Sequence, residues 1–354
     1  MTNDMVIERP DDMTEPLTNA EGESAPATSA RTERRSSRRA NTWAIVLAGG
    51  QGMRLRSFTG AENGGTVVPK QFCRFRDDRT LLGATIDRAL QNTSLERVLV
   101  VVMEEHRRFW SRELSAIPPE NVLSQPLDRG TAVAILRGLV EVLLRDRDSR
   151  VVVMPSDHEV DDEAVLVRSI RRAVRSSSLF PNHLVLLGVV PSHLDCDYGL
   201  ILPQPGTETV SHGVRAFVEK PTLTEAARLV REGALWNSFI FACTGLALYV
   251  RFEELQRSMT RACLRAMTLA RSRSDSLAGL YRSLSSWDFS RDVLERSPGR
   301  LRWVPVPPCG WTDLGTPARL AAWLDRHRDA PFWREHGAAR LGGQDGFTLR
   351  TGGA

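Results

Sequence analysis

The chain has 354 residues, 42% of them hydrophobic and 25% charged, with a formal net charge of +4 at pH 7. These are the values of a soluble globular protein long enough to bury a sizeable core, and no apolar run approaches the roughly 20 residues of a membrane span. The small positive excess is spread over dispersed arginines, so a nucleic-acid partner is not expected, and the five scattered cysteines form no C-x-x-C pair, which suggests neither a zinc site nor a disulfide framework and fits reduced thiols in the cytoplasm.

Residues 1–40 read as a disordered tail, rich in Thr, Ser, Pro, Glu and Asp and closing on Arg31, Arg34, Arg35, Arg38 and Arg39. No apolar segment follows Met1, so no secretory signal is expected. A domain over 41–330 opens with the stretch around which the chain is organised, Trp43-Ala44-Ile45-Val46-Leu47-Ala48-Gly49-Gly50-Gln51-Gly52-Met53-Arg54-Leu55. A short apolar run bounded by glycines predicts a buried strand of a parallel sheet. The glycines let the backbone approach a ligand closely, successive N–H groups there make an anion-binding concavity, and Arg54 adds a fork suited to phosphate oxygens. The pattern is neither the nucleotide-hydrolase P-loop nor the dinucleotide fingerprint.

A polar, Gly-rich connection over Phe58–Val68, expected to be mobile, delivers Pro69-Lys70-Gln71-Phe72. Lys70 is placed to neutralise phosphate or is an ordinary surface lysine. Thr80 reads as the N-cap of a helix carrying Leu81, Leu82, Thr85, Ile86 and Leu90. Strands are expected at Val98–Val102 and Val122-Leu123, with a helix over Glu104–Leu114 between them. A helix follows Arg129-Gly130-Thr131-Ala132, then the strand Val151–Met154 ending in Pro155-Ser156-Asp157-His158. This alternation predicts an α/β, doubly wound, mostly parallel Rossmann-like sheet with ligands at the carboxyl ends of its strands. Asp157, at such an end, has the position of a magnesium ligand or of a turn aspartate; Asp161 and Asp162 are better placed to start the next helix. His158 is at most a neighbour of the site.

Further strands are expected at His183–Val190 and Val214–Val218, the second ending in Glu219-Lys220-Pro221. After a helix over Leu223–Glu232, Trp236-Asn237-Ser238 leads into the apolar Phe239–Ala242. Residues 247–296 read as arginine-studded amphipathic helices with no function beyond packing and surface. The strand Leu301–Val306, Gly310-Trp311-Thr312-Asp313-Leu314-Gly315 and a helix over Thr316–His327 complete a helical C-terminal part, and 331–354 is a Gly-rich extension expected to fray.

Seven of these stretches, 47–55, 69–72, 129–132, 154–158, 218–221, 236–238 and 310–315, stand in the order found in one family. The chain resembles the sugar-1-phosphate nucleotidyltransferases, most closely the mannose-1-phosphate guanylyltransferases. The resemblance implies the nucleotide-diphospho-sugar transferase fold and transfer of a nucleotidyl group from a nucleoside triphosphate, GTP, to mannose 1-phosphate, giving GDP-mannose and pyrophosphate. It implies Mg2+ held by Asp157 and Asp313, and a catalytic set of Arg54, Lys70, Asp157 and Lys220. Leu47, Ala48, Gly49, Gly50, Gly52, Met53, Arg54, Gln125, Arg129, Gly130 and Thr131 match nucleotide-binding positions. Tyr198, Gly199, Glu219, Lys220 and Asn237 match sugar-phosphate positions.

The sequence departs from that family where Gly130 and Val133 replace an asparagine and a proline, and where Phe239 replaces a glycine. The same chemistry on another base or sugar, such as glucose 1-phosphate, and a non-catalytic nucleotide-sugar-binding protein are the alternatives. The longer guanylyltransferases append an isomerase domain. This chain ends before one, so a single activity is expected, with a homo-oligomer left open.

Overall fold

The computed structural model describes residues 41–52, 68–270 and 275–327. The tail assigned to 1–40, the connection over 58–67, the site residues Met53 and Arg54, and the extension over 331–354 lie outside the described residues. The predicted first strand is β1 (Thr42–Ala48), followed by α1 (Leu81–Leu90), β2 (Val98–Met103), α2 (Arg107–Glu113), β3 (Val122–Gln125), α3 (Gly130–Arg145) and β4 (Arg150–Pro155). Then come α4 (Glu163–Leu179), β5 (Leu184–Val189), β6 (Leu200–Pro203), β7 (His212–Val218), α5 (Leu223–Arg231) and β8 (Leu235–Thr244). The helices α6 (Gly245–Leu255), α7 (Arg257–Ala270) and α8 (Asp275–Ser283), the strand β9 (Leu301–Val306) and α9 (Pro317–His327) complete the order.

The strands form one nine-stranded sheet, β3-β2-β1-β4-β8-β5-β9-β7-β6, between helices. Its first four strands are mutually parallel. They are uniform apolar runs because both faces are covered, Ile45, Val101 and Val153 by one core and Val46, Val100 and Met154 by the other. The expectation of a mostly parallel sheet holds for this half and is corrected for the other. Strand β8 runs antiparallel to both β4 and β5, β6 and β7 pair antiparallel, and only β5–β9 returns to parallel pairing there. A strand buried on both faces reads the same in either direction, so the apolar pattern of Phe239–Ala242 carried no sign of its polarity.

Predicted caps are present. Thr80 accepts a hydrogen bond from Gly83 N at 2.9 Å, and Asp162 accepts one from Val165 N at 3.0 Å and starts α4. All five cysteines are free thiols, and no helix among the described residues is long and apolar enough to cross a membrane.

Candidate active site

The carboxyl ends of the parallel strands and the first residues of the antiparallel β8 meet at one edge of the sheet. There they enclose a cavity of about 380 Å³. The turn after β1 supplies Gly49 and Gly50, and Gln71 holds it by donating to the carbonyls of Ala48 at 3.0 Å and Gly50 at 2.8 Å. Gly52 continues the turn with φ +60 directly against the Lys70 backbone. Leu47, Met103 and Gln125, from the ends of β1, β2 and β3, line this side together with Gly130, Thr131 and Ala134 at the start of α3.

Lys70 is buried, not a surface residue. Its Nζ is 2.9 Å from Asp157 Oδ2 and also donates to the Asp313 carbonyl. Asp157 follows β4 and is delivered to the cavity floor because Ser156 hydrogen-bonds Leu47 O through both its N (3.1 Å) and its Oγ (2.7 Å). Asp313 arrives from the far end of the chain through a short antiparallel bridge, Glu159 N to Thr312 O and Thr312 N to Glu159 O, each 2.9 Å. Its Oδ1 accepts from Tyr198 Oη at 3.1 Å, Gly315 N at 2.9 Å and Arg319 Nη1 at 2.6 Å. Arg319, on α9, also reaches Asp197 at 3.0 Å and lies over the Tyr198 ring. The Lys70 and Asp313 loops share a small core, in which Leu314, Leu320 and Trp323 pack with Cys73, Phe75 and Leu81.

Burial pushes the Asp157 carboxyl up, but the charge and hydrogen bond of Lys70 outweigh it and hold the group below the usual carboxylate range. His158 is buried at the cavity wall. Desolvation pulls it down to about 4 against the opposing carboxylates Asp157 and Asp313, so it is neutral near pH 7. Trp311 Nε1 donates to its Nδ1 at 3.2 Å, which leaves the proton on Nε2, toward Asp157. Burial likewise raises the Tyr198 phenol, with Asp313 adding to the effect, so it stays a neutral donor to that carboxylate.

The opposite wall carries Tyr198, Gly199, Glu219 and Asn237. Asn237 N donates to Gly199 O at 2.8 Å, which ties β8 to the loop before β6. Burial, reinforced by the nearby Asp288, raises Glu219 to about 7 against the pull of Lys220 and a Ser290 hydrogen bond. Because the folded chain binds this proton more tightly than the unfolded chain does, its contribution to stability is full below the ordinary glutamate range. It is lost as pH rises through about 7. Glu219→Gln is expected to flatten the melting temperature between pH 5 and 8 relative to the parent; an unchanged slope would show that Glu219 does not titrate there.

Three non-glycine residues among those described have left-handed backbones, Lys220 (φ 48), Phe239 (φ 59) and Leu314 (φ 46). Each directly follows a cavity residue, Glu219, Ser238 and Asp313. Strain of this kind persists where the surroundings over-determine it, and it clusters at functional sites.

Not every expected residue reaches the cavity. The Arg129 side chain turns away to the Tyr281 carbonyl, 2.6 Å from its Nε. Lys220 is exposed and, like Ala48 and Gly52, does not line the cavity; Lys70 does not line it either and touches it only through Asp157 and Asp313. Conversely, the stretch 247–296, expected only to pack, builds a wall. Asp288 and Ser290 line the cavity, Tyr281 Oη donates to Gln125 Oε1 at 3.0 Å, and Phe289 N donates to Thr131 Oγ1 at 2.9 Å. No local pattern marked these residues; their roles come from partners more than 150 positions away.

Among the described residues no group of three or more His, Cys, Asp or Glu comes together to hold a metal. Asp157 and Asp313 instead offer two carboxylates, each with one oxygen engaged by a cationic side chain. That donor set suits a divalent ion which takes its remaining ligands from a bound phosphate and water, the usual arrangement for Mg2+ on nucleotides.

A family model described as nucleotidyl transferase matches residues 43–327. Xanthan biosynthesis protein XanB of Xanthomonas campestris pv. campestris (strain B100) is 28% identical over 279 residues, covering 77% of this chain and 57% of that protein. A mannose-1-phosphate guanylyltransferase of Escherichia coli is 27% identical over 240 residues, 66% of this chain and 49% of the relative. The chain thus spans about half the length of the curated relatives it matches. Among solved structures, mannose-1-phosphate geranyltransferase from Thermus thermophilus superposes with a TM-score of 0.65 at 28% identity, covering 78% of this chain and 76% of that one.

Proposed function

The chain belongs to the nucleotidyl transferase family, and from that premise we propose that it transfers a nucleotidyl group from GTP to mannose 1-phosphate, releasing pyrophosphate. The observation that carries the reading is one cavity lined by a glycine turn, by hydroxyl-binding groups and by the carboxylates Asp157 and Asp313, with the buried Lys70 paired to Asp157 behind its wall. A phosphate oxygen of the sugar phosphate attacks the α-phosphorus in line. One P–O bond forms, the bond to the β-phosphate oxygen breaks, and pyrophosphate leaves with its electron pair.

Two anions must be brought together, so positioning and charge neutralisation carry the rate rather than a covalent nucleophile. Gly49 and Gly50 let the triphosphate approach the main chain, and Lys70 supplies a fixed positive charge beside the reacting phosphates. Gln125 and Thr131 face the base. Tyr198, Gly199, Glu219 and Asn237 meet the sugar, where hydrogen bonds to its hydroxyls give discrimination. Asp157 and Asp313 would hold Mg2+, which when bound would neutralise phosphate charge and help orient the substrates.

The test is pyrophosphate release with each nucleoside triphosphate paired in turn with mannose 1-phosphate and glucose 1-phosphate, in the presence of Mg2+. Release with GTP and mannose 1-phosphate above all other pairs is the expected result. Preference for another pair would move the specificity and keep the chemistry. Failure with every pair, accompanied by nucleotide-sugar binding, would replace the enzyme with a binding protein.

A further inference from the structure

Of the three strained residues, Phe239 alone lines the cavity. It sits where the ladder between β5 and β8 is broken: Leu186 pairs with Phe241 and Gly188 with Asn237, so β8 bulges over Ser238–Ile240. Side chains replace the missing ladder bonds. Ser238 Oγ donates to Leu187 O at 2.9 Å, and Phe239 N donates to Asn237 Oδ1 at 3.2 Å. The bulge leaves the Phe239 ring packed on the core that includes α3, where it meets Phe289 edge-on, centroids 6.0 Å apart. The ring is only half-buried.

A bulky side chain at φ 59 is disfavoured by contact between its Cβ and the main chain. Glycine would adopt this backbone freely and leave the volume of the ring to a ligand. The chain instead keeps an aromatic ring in a strained position in the cavity wall, two residues after Asn237, whose side chain accepts from its backbone N–H, in the cavity that Glu219 also lines. We propose that Phe239 sets the size limit of the cavity for its sugar substrate. Its ring admits unsubstituted hexose 1-phosphates and excludes those bearing a bulky ring substituent, such as an N-acetylamino group. The proposal rests on the reading of this cavity as the sugar 1-phosphate site.

The experiment compares the parent chain with Phe239→Gly, Phe239→Ala and Phe239→Leu, each assayed with GTP against mannose 1-phosphate and N-acetylglucosamine 1-phosphate. The ratio of kcat/KM for the N-acetylated substrate over mannose 1-phosphate is expected to rise by about tenfold or more in the Gly and Ala variants. The Leu variant keeps apolar packing should the smaller side chains fail to fold, and is expected to shift the ratio in the same direction. A ratio unchanged in every folded variant would overturn the proposal. The left-handed backbone makes a second demand: Phe239→Gly should melt above Phe239→Ala, the reverse of the order in an ordinary strand. The opposite order would remove the strain on which the inference stands. If the parent turns over no pair at all, the transferase reading fails by itself. The size limit is then read from melting shifts given by the two sugar phosphates alone: protection by N-acetylglucosamine 1-phosphate only after Phe239→Gly supports it, and equal shifts in both chains overturn it.

Discussion

Asp157→Asn is expected to lower turnover by about 10³-fold while nucleotide affinity changes far less, because the charge removed acts chiefly on the transition state. The substitution keeps shape and removes one negative charge from the floor of the cavity. Its structural consequence can be separated from its chemical one. Lys70, with a side chain only 7% exposed, loses its 2.9 Å partner and becomes a nearly buried, uncompensated cation. The penalty is about 2 kcal/mol, less than for a wholly buried pair, because the Asp157 side chain is 38% exposed and solvent screens it. Lys70→Met added to Asp157→Asn should therefore restore much of the melting temperature and none of the turnover. Parent-like turnover in Asp157→Asn would remove this carboxylate from the mechanism. Recovery of turnover along with stability in the double variant would show that the loss came from folding alone.

Gly130→Ala carries the largest expected effect on stability, about 3 kcal/mol, or a melting temperature lower by roughly 6 °C. Residue 130 has φ +83, and a Cβ there would lie within 3.0 Å of three backbone atoms of Trp287. The contact is built into the fold: Trp287 N donates to Arg129 O and Ala132 N donates to Trp287 O, each at 3.0 Å. Pushing Trp287 away also displaces Asp288 and Ser290 from the cavity wall, so KM for the sugar phosphate should rise with the loss of stability. Asparagine, common at this position in the guanylyltransferases, tolerates a left-handed backbone but still carries a Cβ, and Gly130→Asn should be nearly as destabilising here. Measured melting temperatures and KM values for both variants decide the point; a stable Gly130→Ala would mean that the Trp287 segment can move without harm.

The departure at Gly130, visible in the sequence as a mere difference, thus has a steric cause supplied by a segment 157 positions later. The departure at Phe239 has a related one, since the bulge that demands a left-handed residue exists only because β8 enters the sheet against β5.

What the sequence determined by itself was local. Valine-rich runs are strands because a residue buried on both faces needs no polar alternation, Thr80 and Asp162 start helices because their oxygens satisfy free N–H groups, and the glycines at 49, 50 and 52 mark a turn of close approach. The tertiary structure alone decided which of these features share a cavity. The pairing of Lys70 with Asp157, the Thr312 bridge that brings in Asp313, the turning away of Arg129 and the wall built by Trp287–Ser290 all depend on where distant segments cross. Periodicity and propensity record the burial of each residue but not its partner, and an arginine-studded helix presents the same pattern whether its flanking loop faces solvent or closes an active site.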